Sequence, residues 1–447
     1  MNKSIIAIIF STVMLCFYGF RNKFPLLTLD SGSFINSGFD RTLLNHSTSF
    51  YGLFIAHISW GKSIWLVILG QSLLLSVTLA LCFKYFFHER NRAVLYVSYV
   101  SIITLLLPAS LITSTISPGI FSSITILILG VFYCADGLSK RDLYLIAFIL
   151  IACSFVDFIN ILFILLFSCC YKLKFVLRKR KIIGGFRSFK FKRSGVLSCI
   201  ALLTLISIFF SRRISQSKSE ADLEIITAKF CYFRNTGILL DYPNQTHVSK
   251  LLVPAILHKG GTHFYDFSSI GVDPNSTKKI VSQIQIEKAL NWRILIRTIQ
   301  NFYTRLTNFG IESYEKPDVN SESFDSIYHW YNWESRECMI SRQFQNWLWL
   351  DYLNYSQMIV ILSIAIGFAC LVFLRTKKDV TLTSYSIVAI IVYCFISAAI
   401  YGGDKKPDSQ IIWILSLPFF GHLCKTRLGR LGLANGQKSS VSQSKEV

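Results

Sequence analysis

The residue types best suited to chemistry lie early, in Leu29-Asp30-Ser31-Gly32-Ser33-Phe34-Ile35 and the surrounding stretch 21–62. That stretch also carries Asp40, Arg41, His46 and His57, and it lies between two strongly apolar runs. Asp30 has two readings. In one, Asp-Ser-Gly opens a helix and the carboxylate caps it by accepting the free N–H groups of the first turn. In the other, Asp30 lies at a membrane surface, where a carboxylate partly removed from water becomes a stronger base. A base there can take the proton of an acceptor hydroxyl. Asp40-Arg41 reads as a surface ion pair, worth about 0–1 kcal/mol, or as an arginine free to hold a phosphate. Asp40 is the second candidate catalytic acid, and His46 is grouped with Arg41 as a substrate-binding candidate.

Asp157, in Ser154-Phe155-Val156-Asp157-Phe158-Ile159-Asn160, interrupts another apolar run. An ionisable group there is costly and faces protein or water, so it reads either as a functional group or as the cap of a broken helix. The chain has no P-loop, no helix-opening GxGxxG, no HExxH and no GxSxG. No Cys/His cluster has zinc spacing. The sequence therefore predicts no metal site, leaves a divalent metal unassigned and calls for no organic cofactor.

These residues need elements to hold them. Of the 447 residues, 52% are hydrophobic, and the mean hydropathy is +0.47. The apolar residues gather in runs of about 17–21, the length that crosses a hydrocarbon core about 30 Å thick. One such run suits a soluble core; about ten do not. The predicted fold class is an α-helical polytopic membrane protein with about ten transmembrane segments and one extracytoplasmic soluble α or α+β domain.

The net charge of +21 would suit nucleic acid, but most Lys and Arg fall in short segments between apolar runs. That is the positive-inside pattern, and no nucleic-acid partner is predicted. Basic runs at 88–92, 172–193 and 375–378 mark the cytoplasmic side. They place 21–62 and 212–354 outside and both termini inside a plasma (inner) membrane. The first apolar run, Ser4 to Phe20, is followed by Arg21-Asn22-Lys23 with no small-x-small cleavage site, so it reads as an uncleaved span.

Spans are predicted over about 4–20, 63–86, 94–112, 121–136, 195–211, 356–374, 380–400 and 409–424. The run 143–171 is predicted to hold two short helices that turn near Asp157, because both its flanks are basic. The domains are then an N-terminal transmembrane module 1–211 with its first outer loop, an outer domain 212–354, C-terminal spans within 355–424 and a disordered tail 425–447. Helical spacing is visible over 280–309, and Trp330, Trp333, Trp347 and Trp349 suit an interfacial belt.

All but two of the 12 cysteines fall in or beside apolar spans, where a free thiol behaves as a small hydrophobe. The two in the outer domain are Cys231 and Cys338. Facing an oxidising compartment, they are predicted to form a disulfide closing a loop of about 107 residues.

Leu27-Thr28-Leu29-Asp30-Ser31-Gly32-Ser33-Phe34-Ile35, followed by Phe50-Tyr51-Gly52-Leu53-Phe54 and an apolar span, resembles the start of bacterial polytopic proteins of the GT-C glycosyltransferase type. The resemblance covers residues 1–135. It implies a sugar donor linked to polyprenyl phosphate, a glycan or lipid acceptor outside the cytoplasm and close contact with membrane lipid. Asp30 is the position that carries over, as the base. Arg41, Arg212 or Arg213 would then hold the phosphate. The sequence departs from the type at Ser117-Pro118-Gly119, which lacks a second acidic residue, and near Asp157, which lacks histidines. Other classes with many spans and a large outer loop stay open: an O-antigen-type polymerase or ligase, a transporter and a non-catalytic envelope assembly protein.

Overall fold

A computed structural model describes residues 3–28, 30–40, 49–87, 91–135, 137–156, 159–167, 169, 299–303, 319, 321–345, 385–396, 411, 413–418 and 420. The described residues are mostly helical, and their one β feature is an isolated parallel bridge between Leu26 and Thr115. The helices are α1 (Lys3–Leu15), α2 (Phe17–Asn22), α3 (Ser31–Phe39), α4 (Ser49–Ser59), α5 (Trp65–Phe86), α6 (Arg92–Leu105), α7 (Ala109–Thr113), α8 (Gly119–Cys134), α9 (Lys140–Val156), α10 (Glu322–Trp330) and α11 (Asn332–Met339). A further helix, α12, spans Tyr385–Ile396.

Two helices are long and apolar enough to cross a membrane: Ser4–Asn22, which joins α1 to α2, and α5 with 22 residues. At 1.5 Å per residue, α5 is about 33 Å long. Its apolar residues run all round the helix, so it takes a central place, packing against α1, α4, α6, α7 and α8. Gln71 is its buried polar residue with the most partners. Tyr51 Oη donates to Gln71 Oε1 at 2.9 Å, and Gln71 Nε2 donates to the carbonyls of Thr113 and Thr115 at 3.1 and 3.0 Å. Those carbonyls lie at and just beyond the C-terminal end of α7, where buried backbone groups lack helical partners.

That stretch corrects one expectation. The sequence predicts a continuous span over 94–112, whereas α6 ends at Leu105 and the separate short α7 begins at Ala109. Pro108 lies between them. It has no N–H to give, and it pushes the preceding residue out of the helical region. Leu105 and Leu106, at the end of α6, are exposed, whereas residues 107–116, from the break onward, are all buried.

Between α4 and α5 the chain turns at Trp60 (φ 51) and Gly61 (φ 60). Asp142, in the first turn of α9, pairs with Lys84 in the last turn of α5 at 2.6 Å. Near the predicted turn at 157, α9 covers Lys140–Val156 and residues 159–167 are helical; Asp157 lies outside the described residues. Helix α12 packs on α8, with Tyr385 Oη donating to the Ile126 carbonyl at 3.0 Å and Tyr393 Oη to Ser122 Oγ at 2.8 Å. The predicted spans 195–211 and 356–374, the helix over 280–309 apart from 299–303, and the tail 425–447 also lie outside the described residues.

Helices α10 and α11 share the core of the N-terminal helices: Phe324, Ile327, Tyr331 and Cys338 belong to one buried apolar cluster with residues of α1 and of α3 to α9.

Candidate functional site

Among the described residues of the stretch 21–62, helices α3 and α4 cross to form a platform. Their contact depends on two glycines. A Cβ built on Gly38 would lie 2.1 Å from the Gly52 carbonyl oxygen, and one on Gly52 would lie 2.3 Å from Ser37 Oγ. The missing side chains let the two backbones touch, and Phe34 meets Tyr51 edge to face at 5.3 Å beside the crossing.

Asp30 immediately precedes α3 and is half-buried. It occupies the N-cap position that the sequence suggested, yet its side chain makes no capping hydrogen bond. The backbone explains this. At φ −83 and ψ −7, Asp30 is already helical, whereas a capping residue needs the extended region to turn its oxygen onto the first-turn amides. Ser31 orders the turn instead. Its Oγ accepts from Thr28 N and donates to the Ile116 carbonyl, each at 2.8 Å. Leu26 adds the backbone bridge to the same segment, exchanging hydrogen bonds of 2.8 Å with Ser114 and Ile116.

The other wall of this turn comes from residues nearly three hundred positions later. Helix α10 begins at an extended Ser321, which caps it by accepting from Phe324 N at 3.3 Å. Its N-terminus lies directly on Gly32: a Cβ there would lie 2.6 Å from the Glu322 carbonyl carbon and oxygen. Ser323 Oγ donates to the Thr28 carbonyl at 2.9 Å and accepts from Gly32 N at 3.3 Å. Ser326 Oγ donates to the Gly32 carbonyl at 3.2 Å, and Ser33 Oγ donates to Glu322 Oε1 at 2.8 Å.

Further along, Trp330 stacks on Phe39 at 4.5 Å and donates Nε1–H to Asn36 Oδ1 at 3.1 Å. Gln343 closes the far edge, with Nε2 donating to the Leu27 carbonyl at 2.6 Å and Oε1 accepting from Leu27 N at 3.0 Å.

Helix α11 brings a buried carboxylate to the start of α5. Glu334 accepts from Ser63 Oγ and, at 3.1 Å, from Ile64 N. Burial pushes its carboxyl above the ordinary value, and the two donors offset only part of that rise. Tyr331 Oη donates to Ser59 Oγ at 2.8 Å. Cys338 is a buried free thiol, which burial pushes up to about 12. Its predicted disulfide partner, Cys231, lies outside the described residues.

The structure separates the two candidate acids. Asp30 precedes the first turn of α3, while the exposed Asp40 follows its last turn, about 15 Å away by helical rise. They cannot meet on one reacting atom. Arg41, His46, Asp157, Arg212 and Arg213 lie outside the described residues. Sequence reasoning missed Ser33, Glu322 and Glu334. Ser321 followed by Glu322 and Asp325 signals a helix start, but nothing local signals which surface that start will meet.

Among the described residues no group of three or more His, Cys, Asp or Glu could hold a metal ion. Comparison of the chain with protein-family models, with curated proteins and with solved structures gives no match. What the geometry offers chemically is a half-buried carboxylate, not used in capping, on a turn held from three sides.

Proposed function

We propose that the chain is an integral-membrane glycosyltransferase of GT-C type, with about ten spans and both termini cytoplasmic, working at the outer face of a plasma membrane. The donor is a sugar linked to polyprenyl phosphate, and the acceptor is a glycan or lipid hydroxyl. One Asp30 carboxylate oxygen takes the hydroxyl proton as the acceptor oxygen bonds to the anomeric carbon. The bond from that carbon to the phosphate oxygen breaks, and its electron pair leaves with polyprenyl phosphate. Arg41, Arg212 and Arg213 are the candidates for holding that phosphate through paired N–H groups.

The observation that carries this reading is the placement of Asp30: half-buried, on a turn hydrogen-bonded to the segment at Ile116 and to α10. A base must be within hydrogen-bond reach of its proton, and a rigid turn supplies that. The membrane part draws support from the two helices of spanning length and from the large apolar side chains they leave exposed, Ile5, Ile9, Phe10 and Val13 on α1 and Leu66, Leu69 and Leu73 on α5.

The test uses the full chain in lipid nanodiscs with tritiated polyprenyl-phosphate sugars. The parent releases polyprenyl phosphate, and Asp30→Asn lowers that release by about 100-fold or more, the contribution of a general base. Equal release by the variant removes Asp30 from this role.

A further inference from the structure

We infer that Glu322, which opens α10, is a positioning residue for Asp30. The inference rests on the reading of Asp30 as the base. Ser33 is three residues after Asp30, so the two share a face of the first turn of α3. The Ser33 hydroxyl donates to Glu322 Oε1 at 2.8 Å across a sequence separation of 289 residues. Around that bond the two backbones are in direct contact, because Gly32 leaves no room for a Cβ against Glu322. Ser323 and Ser326 take up the Thr28 carbonyl and both backbone groups of Gly32. The turn that carries Asp30 is thus hydrogen-bonded to α10 two residues before and two residues after Asp30.

A first-turn carboxylate also favours its own helix through the helix dipole, and an exposed side chain would be enough for that. Glu322 is half-buried and bonded across to the other helix, which the dipole does not require. Its carboxylate holds Ser33, and through Ser33 it fixes where α3 begins and where Asp30 lies relative to a substrate. The site is therefore complete only when the C-terminal part of the outer domain, from Ser321 onward, has returned to the first outer loop.

The experiment compares the parent with Glu322→Ala, Glu322→Gln, Ser33→Ala, the Ser33→Ala/Glu322→Ala double variant and Asp30→Asn. Each is a full chain in nanodiscs, normalised to monodisperse protein, and assayed with tritiated polyprenyl-phosphate glucose and polyprenyl-phosphate mannose. Glu322→Ala lowers kcat by about 100-fold, the scale of a 1 Å misplacement, with KM for the donor within about twofold, since donor binding is unchanged. Glu322→Gln keeps a carbonyl oxygen for Ser33 and restores kcat to within about threefold of the parent, because the hydrogen bond is remade. The double variant is no slower than Glu322→Ala alone, the mark of a shared pathway.

A merely structural role would lower the yield of monodisperse protein and leave kcat per folded molecule at the parental value. That result, with Asp30→Asn inactive, overturns the inference and leaves the proposed function standing. Parental turnover by Asp30→Asn, or a parent inactive on both donors, overturns both.

Discussion

At the C-terminal end of α5, Lys84 lies 2.6 Å from Asp142, and Tyr85 and Ser139 also donate to that carboxylate. At the N-terminal end, Glu334 accepts from a hydroxyl and a backbone amide. Both placements suit the helix dipole, with negative charge at the start of α5 and positive charge at its end. Their electrostatics differ. Burial opposes ionisation of Asp142, but its three donors and the Lys84 charge outweigh it, and the carboxyl is held below its ordinary value. At Glu334 burial wins, and the carboxyl is raised. One end of α5 is closed by an ion pair. The other is closed by a carboxylate from a returning segment, held by neutral donors just before α5, and that segment also forms the wall of the Asp30 turn.

The platform breaks most readily at its glycines. Gly38→Ala forces a Cβ to within 2.1 Å of the Gly52 carbonyl oxygen. Because that obstacle is backbone, the expected loss is about 3 kcal/mol or more, at or above the usual range for overpacking. Thermal unfolding in detergent should show a much lower Tm for this variant, while Lys84→Ala at the other end of α5 shows a small change. Equal losses would mean that the α3–α4 crossing does not limit stability.

A smaller effect sharpens the contrast between the two carboxylates. Glu334 has a raised folded value, so the stability fully present below its unfolded value is lost as the pH rises through the folded one. Asp142 has a lowered folded value, so its contribution is present above the unfolded value and is lost as the pH falls through the folded one. Acidifying from neutrality should first raise Tm as Glu334 takes up its proton, then lower it below the ordinary carboxylate range as Asp142 does. Glu334→Gln should remove the first limb and Asp142→Asn the second, each by about 1 kcal/mol or less, the size expected of partly solvent-screened groups. A profile unchanged by either variant would contradict the assignment.

The sequence made the apolar helices legible because composition alone marks them. The runs predicted at 63–86 and 121–136 coincide closely with α5 and α8. The break at Pro108 was hidden, since Leu105 to Leu107 and Leu111 to Ile112 keep the run apolar on both sides of it. Asp30 was legible as a helix start, but the unused cap was not, because that depends on the φ and ψ its neighbours impose. Least legible was the clamp from α10. Gly32, Ser33 and Glu322 look ordinary in sequence, and their meeting depends on long-range packing that leaves no local periodicity.

The proposed function puts the chemistry at the N-terminal end of α3 and not at its other end. Turnover of Asp30→Asn and Asp40→Asn, measured side by side as polyprenyl phosphate release in nanodiscs, tests it most directly. Asp30→Asn is expected to lose about 100-fold or more, as for removal of a general base, while a change at the exposed Asp40, Asp40→Asn, leaves the parental rate. Parental turnover by Asp30→Asn, or an equal loss in both variants, would contradict it.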